Sequence, residues 1–338
     1  MELWGLLASI GISFTVSFLF AYFLFWLDLY EKEPLLLLGG VFIWGAIVAA
    51  GLAYLINTVV GLGVLAVTGS ETATSLTAAV VIAPVIEEIL KGLAVVLVFL
   101  IFRNEFDSAL DGIVYAGVTA LGFAATENAY YIFAYGFAEE GWQGFRSLAL
   151  IRLGLVGWQH PFYTAFVGIG LAVARLTRLV IVKLVAPALG FGAAIAAHAL
   201  HNILAGLFQD GAGVLFSTAL DWTGWLLMLG FIFLVMLLEH RKIKTHLQPE
   251  VEQGTLTQAQ FETAQSFFKI TGERISGIVR GQYRKTTRFY RAAAELAQKK
   301  HLRQRLGEEG KNGEAVEELR RQVKTLSSAL SSGEKLVV

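Results

Sequence analysis

Seven stretches of this chain are each long and apolar enough to cross a lipid bilayer as a helix, and this settles the fold class before any motif is read. A bilayer's hydrocarbon core is about 30 Å thick and takes about 20 helical residues. The stretches run over 3–27, 35–67, 74–102, 112–137, 148–176, 184–208 and 214–238, separated by short polar connections. Inside lipid each backbone amide needs a partner, so isolated apolar spans of this length fold as helices. The expected architecture is an all-α, polytopic membrane protein with about seven transmembrane helices. The second stretch has length to spare, enough to tilt or to end in a short surface helix.

Charge divides the 338 residues into two parts. Residues 1–240 hold 8 Lys/Arg and 16 Asp/Glu, whereas 241–338 hold 19 and 11. Only 16% of the whole chain is charged and 55% is hydrophobic, against about a quarter charged in soluble chains. The reading is a transmembrane domain over 1–240 and a basic, helical tail over 241–338. Tail helices are expected near 256–270, 283–306 and 313–330, with Asn312 as a cap for the last. Phe289, Ala293 and Leu296, and then Val316, Leu319, Val323 and Leu326, recur at helical spacing. The first stretch is too long for a signal-peptide core and lacks a basic leader, so it is read as a retained span.

Orientation follows the Lys and Arg of short loops. Lys32, then Arg103, then Arg175, Arg178 and Lys183, then the tail's Arg241, Lys242 and Lys244 fall on one side. Arg146 stands alone on the other, with Arg152 just inside a span. The N-terminus is thus expected outside and the tail in the cytoplasm of a cell-membrane protein. Trp4, Trp26, Trp142, Trp222 and Trp225 fall near span ends, as interfacial anchors do.

A charge at membrane depth costs at least a few kcal/mol and needs a reason. The ionisable groups within spans cluster: Glu87, Glu88 and Lys91 in the third, Glu127 with Asn128 in the fourth, His160 in the fifth, and His198, His201 and Asn202 in the sixth. By residue count, Glu87, Glu127, His160 and His198 each lie roughly 18–24 Å from one face at 1.5 Å per residue. Because successive spans alternate in direction, the four groups meet near the midplane. Pro84 and Pro161 loosen the backbone beside them. Singly, each has a structural reading: an ion pair for Glu87 and Lys91, interhelical hydrogen bonds for Asn128 and Asn202, packing for one histidine. Four consecutive helices delivering such groups to one depth read as a site.

The chain has no Cys, which removes thiolate ligands and nucleophiles. Histidine and carboxylate donors suit zinc or a similar divalent metal. Glu127, His160 and one or both of His198 and His201 are the expected metal ligands, with His201 otherwise orienting substrate, and Glu87 or Glu88 is the general base. Lys91 supplies a countercharge to the neighbouring carboxylate, and Asn202 or Asn128 an oxyanion donor. Together they suit water attack on an amide bond within the bilayer. No His-Glu-x-x-His and no Gly-x-Ser-x-Gly occurs. Asp28, Asp111, Asp210 and Asp221 fall at span ends, so no aspartate pair is expected at depth. A proton- or cation-coupled transporter also uses midplane Glu and His. It predicts two pseudo-symmetric halves, and the sequence has no internal repeat. A scaffold or sensor acting through its tail would tolerate loss of the midplane set. No nucleic-acid motif is present, and nothing in the sequence fixes the oligomeric state.

At these residues the chain resembles the PrsW family of intramembrane proteases, a branch of the wider clan that includes the CAAX prenyl proteases. The likeness rests on Glu87-Glu88-x-x-Lys91, Asp111-Gly-Ile-Val-Tyr, Phe123-x-x-x-Glu127-Asn128, His160-Pro-Phe and His198-x-x-His201-Asn202, in that order on separate helices. Asp28-x-Tyr30-Glu31-Lys32-Glu33-Pro34 is also similar to that family. The likeness spans roughly residues 25–210. It implies membrane-embedded proteolysis of a membrane-anchored protein. In bacteria the family's named role is cleaving an anti-sigma factor in a stress response.

Overall fold

The computed structural model describes residues 2–27, 32–207, 211–307 and 312–331. Every regular element among them is helical. Asp28, Tyr30, Glu31 and Asp210, singled out in the sequence, lie outside the described residues. The chain forms two compact units, one of Met1–Leu27 and Glu33–Gly230, the other chiefly Phe231–Val338.

In the first unit α1 spans Glu2–Leu27. A second rod joins α2 (Leu35–Ile43), a π-helical segment (Trp44–Ala49) and α3 (Ala50–Thr68). A third joins α4 (Glu71–Thr77), a π-helical segment (Ala78–Ile82) and α5 (Ala83–Ile101). Then come α6 (Ala109–Tyr131), a π-helical segment (Ile132–Phe137), α7 (Ala138–Ala149) and another π-helical segment (Leu150–Leu155). The rest is α8 (Gln159–Arg175), α9 (Val180–Leu207) and α10 (Gly211–Glu252). The stretches Glu2–Leu27, Leu35–Thr68, Ala109–Arg175, Val180–Gly206 and Leu215–Glu252 are long and apolar enough to cross a membrane. The rod that carries α5 is equally long but bears Glu87, Glu88 and Lys91. The chain is an all-α, multi-pass membrane protein.

Helix α6 is the hub. It is apolar on all sides and buried almost continuously from Leu110 to Ala125, as a helix enclosed by others must be. It packs against α1, α2, α5 and α8. Glycine sets the closest approach: a Cβ on Gly112 would stand 2.3 Å from the Gly168 carbonyl oxygen, and one on Gly168 2.0 Å from that of Gly112. Asp111, from the Asp-Gly-Ile-Val-Tyr motif, closes a capping box, its carboxylate accepting from the Asp107 and Ser108 amides at 2.6 Å while the Ser108 hydroxyl accepts from the Asp111 amide. Tyr115 donates to buried Glu33. That motif therefore starts α6, lets α8 approach it and fastens it to the chain before α2.

The structure departs from the expected fifth span, 148–176. It breaks at Val156–Trp158, between the π-helical segment and α8. Two indoles donate to carbonyls here: Trp222 Nε1 to that of Leu155 at 2.8 Å, and Trp225 Nε1 to that of Trp158 at 2.5 Å, which also accepts the Phe162 amide at 3.1 Å. Trp225 is buried and serves the break, in place of the interfacial anchoring expected of it. The π-helical segments are handled alike. Thr126 donates to the Ala46 carbonyl and Asn202 to that of Ala79, both at 2.7 Å. Widened turns leave carbonyls without intrahelical partners, and in lipid a neighbouring side chain must satisfy them.

In the second unit the end of α10 is joined by α11 (Gln258–Ala264), α12 (Phe267–Val279), α13 (Tyr283–Leu306) and α14 (Asn312–Ser331). The helix expected near 256–270 is two, because Thr257 and Ser266 each cap a new start. Asn312 is the first residue of α14, and its amide donates to the Gly307 carbonyl at 3.1 Å. Ile243, Leu247, Phe289, Leu296, Val316 and Val323 share one core. Glu250 is fully buried against it, held by Lys300 at 2.7 Å and Arg320 at 2.9 Å.

Candidate active site

The break before α8 leaves His160 in that helix's first turn, rather than mid-span. It comes to face α5, whose Pro84 follows the π-helical segment, and the end of α6. His198 reaches the same place from α9. Four helices thus converge, and the polar groups touch one another.

Glu88 is the centre of the network and is fully buried. Its Oε1 accepts from Lys91 Nζ at 2.6 Å and lies 2.9 Å from His198 Nδ1. Its Oε2 accepts from the Thr164 hydroxyl at 2.8 Å. Three charge-assisted bonds leave it little capacity for chemistry and fix the His198 ring. Lys91, also fully buried, reaches His160 Nδ1 at 3.3 Å and lies over the Phe123 ring, 4.4 Å from its centroid.

Glu87 is the opposite case. It is buried, yet its Oε2 has no hydrogen-bond partner. Lys91 Nζ lies 3.8 Å and His198 Nε2 3.9 Å from that oxygen. An orphaned carboxylate oxygen at this depth is costly, so it is waiting for a ligand or a water. Glu87, His160 and His198 each offer a donor atom within 4.8 Å of the others. One carboxylate oxygen and two imidazole nitrogens are donors that zinc accepts. His198 adds the usual outer support, because Glu88 holds its other ring nitrogen.

The ligand set expected from the sequence is Glu127, His160, His198 and His201. Glu127 instead forms an ion pair with Arg152 at 2.5 Å, and its Oε2 lies 2.9 Å from His160 Nε2. It thus backs the His160 ring. Arg152 also donates to Asn128 at 2.7 Å and stacks over Tyr131. His201 turns to Asp221 on α10, with Nδ1 2.8 Å from Oδ2 but not aligned as a hydrogen bond. Tyr163 joins the two places: its hydroxyl donates to Asp221 at 2.7 Å, and its ring stacks on that of His198 at 5.1 Å. Asn202 is committed to the Ala79 carbonyl. Arg152, Tyr163, Thr164 and Asp221 are the site residues that sequence reading missed.

Residues 33–238 match the family model described as PrsW family intramembrane metalloprotease. Over 130 residues the chain is 32% identical to Protease PrsW of Geobacillus kaustophilus strain HTA426, a match that covers 38% of this chain and 53% of that protein. The chain spans about half the length of that curated relative. No solved structure matches it.

Proposed function

The chain belongs to the PrsW family of intramembrane metalloproteases, and from that premise we propose that it hydrolyses peptide bonds of membrane-anchored proteins with Glu87 as general base. The observation that carries this is the buried, unpartnered Glu87 Oε2 beside His198 Nε2, in a cluster whose other members are already engaged. Water oxygen attacks the carbonyl carbon, Glu87 takes the proton released, and the same proton passes to the departing amide nitrogen as the C–N bond breaks. Glu88 holds His198 in place, and Lys91 balances the two glutamates. Glu127, braced by Arg152, fixes His160.

A divalent ion, zinc in the first instance, fits beside the base. The residues that would hold it are His160, His198 and Glu87. When bound, the ion supplies Lewis-acid charge that favours ionised water and a polarised carbonyl. The substrate we assign is a single-span regulatory protein, and an anti-sigma factor in a stress response suits the family resemblance. We also assign the N-terminus to the outside and the tail to the cytoplasm, on the loop charges. The chain lacks Cys, so single-cysteine labelling reads this directly: Glu71→Cys and Glu140→Cys should react from outside and Arg178→Cys should not. Outside labelling at 178 would reverse the assignment.

The test of the chemistry pairs two assays on the same preparations: cleavage of a single-span reporter in reconstituted membranes, and metal content. Glu87→Gln keeps an oxygen donor but cannot take a proton. It should fold, retain metal and cleave at least about 10²-fold more slowly. His198→Ala should lose both cleavage and metal. Wild-type cleavage by Glu87→Gln would remove Glu87 as the base. Full activity in rigorously metal-free protein would sink the metal part and leave direct activation of water by Glu87.

A further inference from the structure

The break before α8 opens a cavity of about 230 Å³ within the first unit. Trp158, Trp222, Trp225 and Leu226 form much of its wall, and Gln159 and Asp221 are its polar members. The geometry points to this cavity as the pocket that receives a large apolar side chain of the substrate next to the scissile bond, with Gln159 accepting a substrate backbone N–H. This rests on the proteolytic reading above and adds to it a basis for choosing the cleavage position.

Three observations carry the inference. The cavity adjoins His160 of the candidate site, since Gln159 lines the cavity and its Nε2 lies 3.4 Å from His160 Nε2. Gln159 is buried, and its Oε1 has no hydrogen-bond partner. An extended substrate strand offers the N–H that such an acceptor lacks, and a buried acceptor left open carries a desolvation cost that binding would remove. Finally, the walls are fixed in advance. The Trp222 and Trp225 indoles are tied to the carbonyls of the break. Trp158 packs edge-on against Trp225 at 4.6 Å and stacks on Phe20 at 4.0 Å. A rigid, mostly apolar cavity with a few placed polar groups is the usual form of a specificity pocket.

An apolar pocket discriminates by about 10- to 200-fold for one methylene gained or lost. The experiment uses full-length protein in proteoliposomes and a set of single-span reporters in which each residue near the cleavage point is Leu or Ala in turn. At one position, kcat/KM should favour Leu over Ala by at least tenfold. Leu226 is 67% exposed, so Leu226→Trp fills the cavity from its open side with little risk to folding. In that variant kcat/KM for the Leu reporter should fall at least tenfold, towards the value for the Ala reporter, so that the preference is lost. A Leu-to-Ala ratio unchanged by Leu226→Trp, in protein whose cleavage Glu87→Gln abolishes, would overturn the pocket and leave the protease reading standing. A second readout does not need cleavage: a single-span peptide with a photoactivatable leucine analogue, scanned through the same positions on the Glu87→Gln protein. Adducts on 222–229 from one position, reduced at least tenfold by Leu226→Trp, support the pocket. Adducts spread evenly over positions, or only elsewhere, refute it.

Discussion

Glu87 and Glu88 are chain neighbours with the same side chain, and their surroundings give them different work. One turn of backbone aims Glu88 at Lys91, His198 and Thr164, while Glu87 Oε2 is left open. Sequence alone offers both as the base and cannot rank them, because the ranking depends on which helix each faces. Arg152 is a similar case. It meets the test that singled out the others, a charge inside an apolar stretch, but its closeness to a span edge hides its partner, Glu127, 25 residues earlier. Asp221 looks like a span-end residue by count, yet it is buried on Tyr163 and His201. The pairing of Arg152 gives a prediction. Breaking a buried ion pair by removing one member costs about 3–5 kcal/mol, whereas replacing both members is often neutral. Here the two side chains keep 17% and 20% of their surface exposed, so the cost should fall below that range. Arg152→Met should lower the midpoint of thermal unfolding in detergent, and Arg152→Met with Glu127→Gln should recover most of it. The double variant should also bind zinc about 10- to 100-fold more weakly, as loss of an outer partner does. Complete loss of metal would instead make Glu127 a ligand.

Apolar length and in-span charge mark the first unit as helical and membrane-embedded without a structure, and they predict one depth for the four polar clusters, but the connection expected over 139–146 is helical, in α7. They do not find the break at Val156–Trp158. These three residues are Val, Gly and Trp, as apolar as the spans on either side, and the indoles that donate to carbonyls beside the break lie more than 60 residues away. The π-helical segments escape for the same reason, since Thr126 and Asn202 read as ordinary polar residues until their acceptors are known. Glycines likewise carry no label for the contacts they permit. A Cβ added at Gly39 would have nothing within 4 Å, whereas one at Gly168 would meet backbone at 2.0 Å. Backbone cannot move aside as a side-chain tip can. Gly168→Ala should therefore push α8 from α6 and destabilise by about 1–3 kcal/mol or more, the range for overpacking. Gly39→Ala should change little. The comparison is a thermal or denaturant midpoint for each variant in the same detergent. Equal midpoints would mean that the α6–α8 approach is slack.

At the scale of the whole molecule, one chain forms two compact units. Helix α10 has 42 residues, about 63 Å at 1.5 Å per residue, roughly twice the bilayer core. Its part beyond Gly230 falls in the second unit, which has a core of its own from Ile243, Leu247, Phe289 and Val323. Tail residues that recur at helical spacing in the sequence do form this core, but the ion cluster around Glu250 depends on α10, α13 and α14 meeting and is not visible in any one of them. The second unit also carries a titration. His301 lies with Nδ1 3.4 Å from His246 Nε2. Burial, with Lys242, His246 and Arg305 nearby, brings its pKa down to about 4, from about 6.5 for a free histidine. Below pH 6.5 the unfolded tail takes up a proton there that the folded tail refuses. Stability contributed at this position is thus fully present above about pH 6.5 and is lost as pH falls towards about 4. Amide hydrogen exchange on the full-length protein in nanodiscs, corrected for intrinsic rates, measures this. Protection in α13 and α14 should drop between pH 7 and pH 5 while α6 holds. His301→Phe should flatten the drop by removing the proton site while keeping a ring in the packing. A drop of the same size in His301→Phe would place the pH sensitivity elsewhere in the tail.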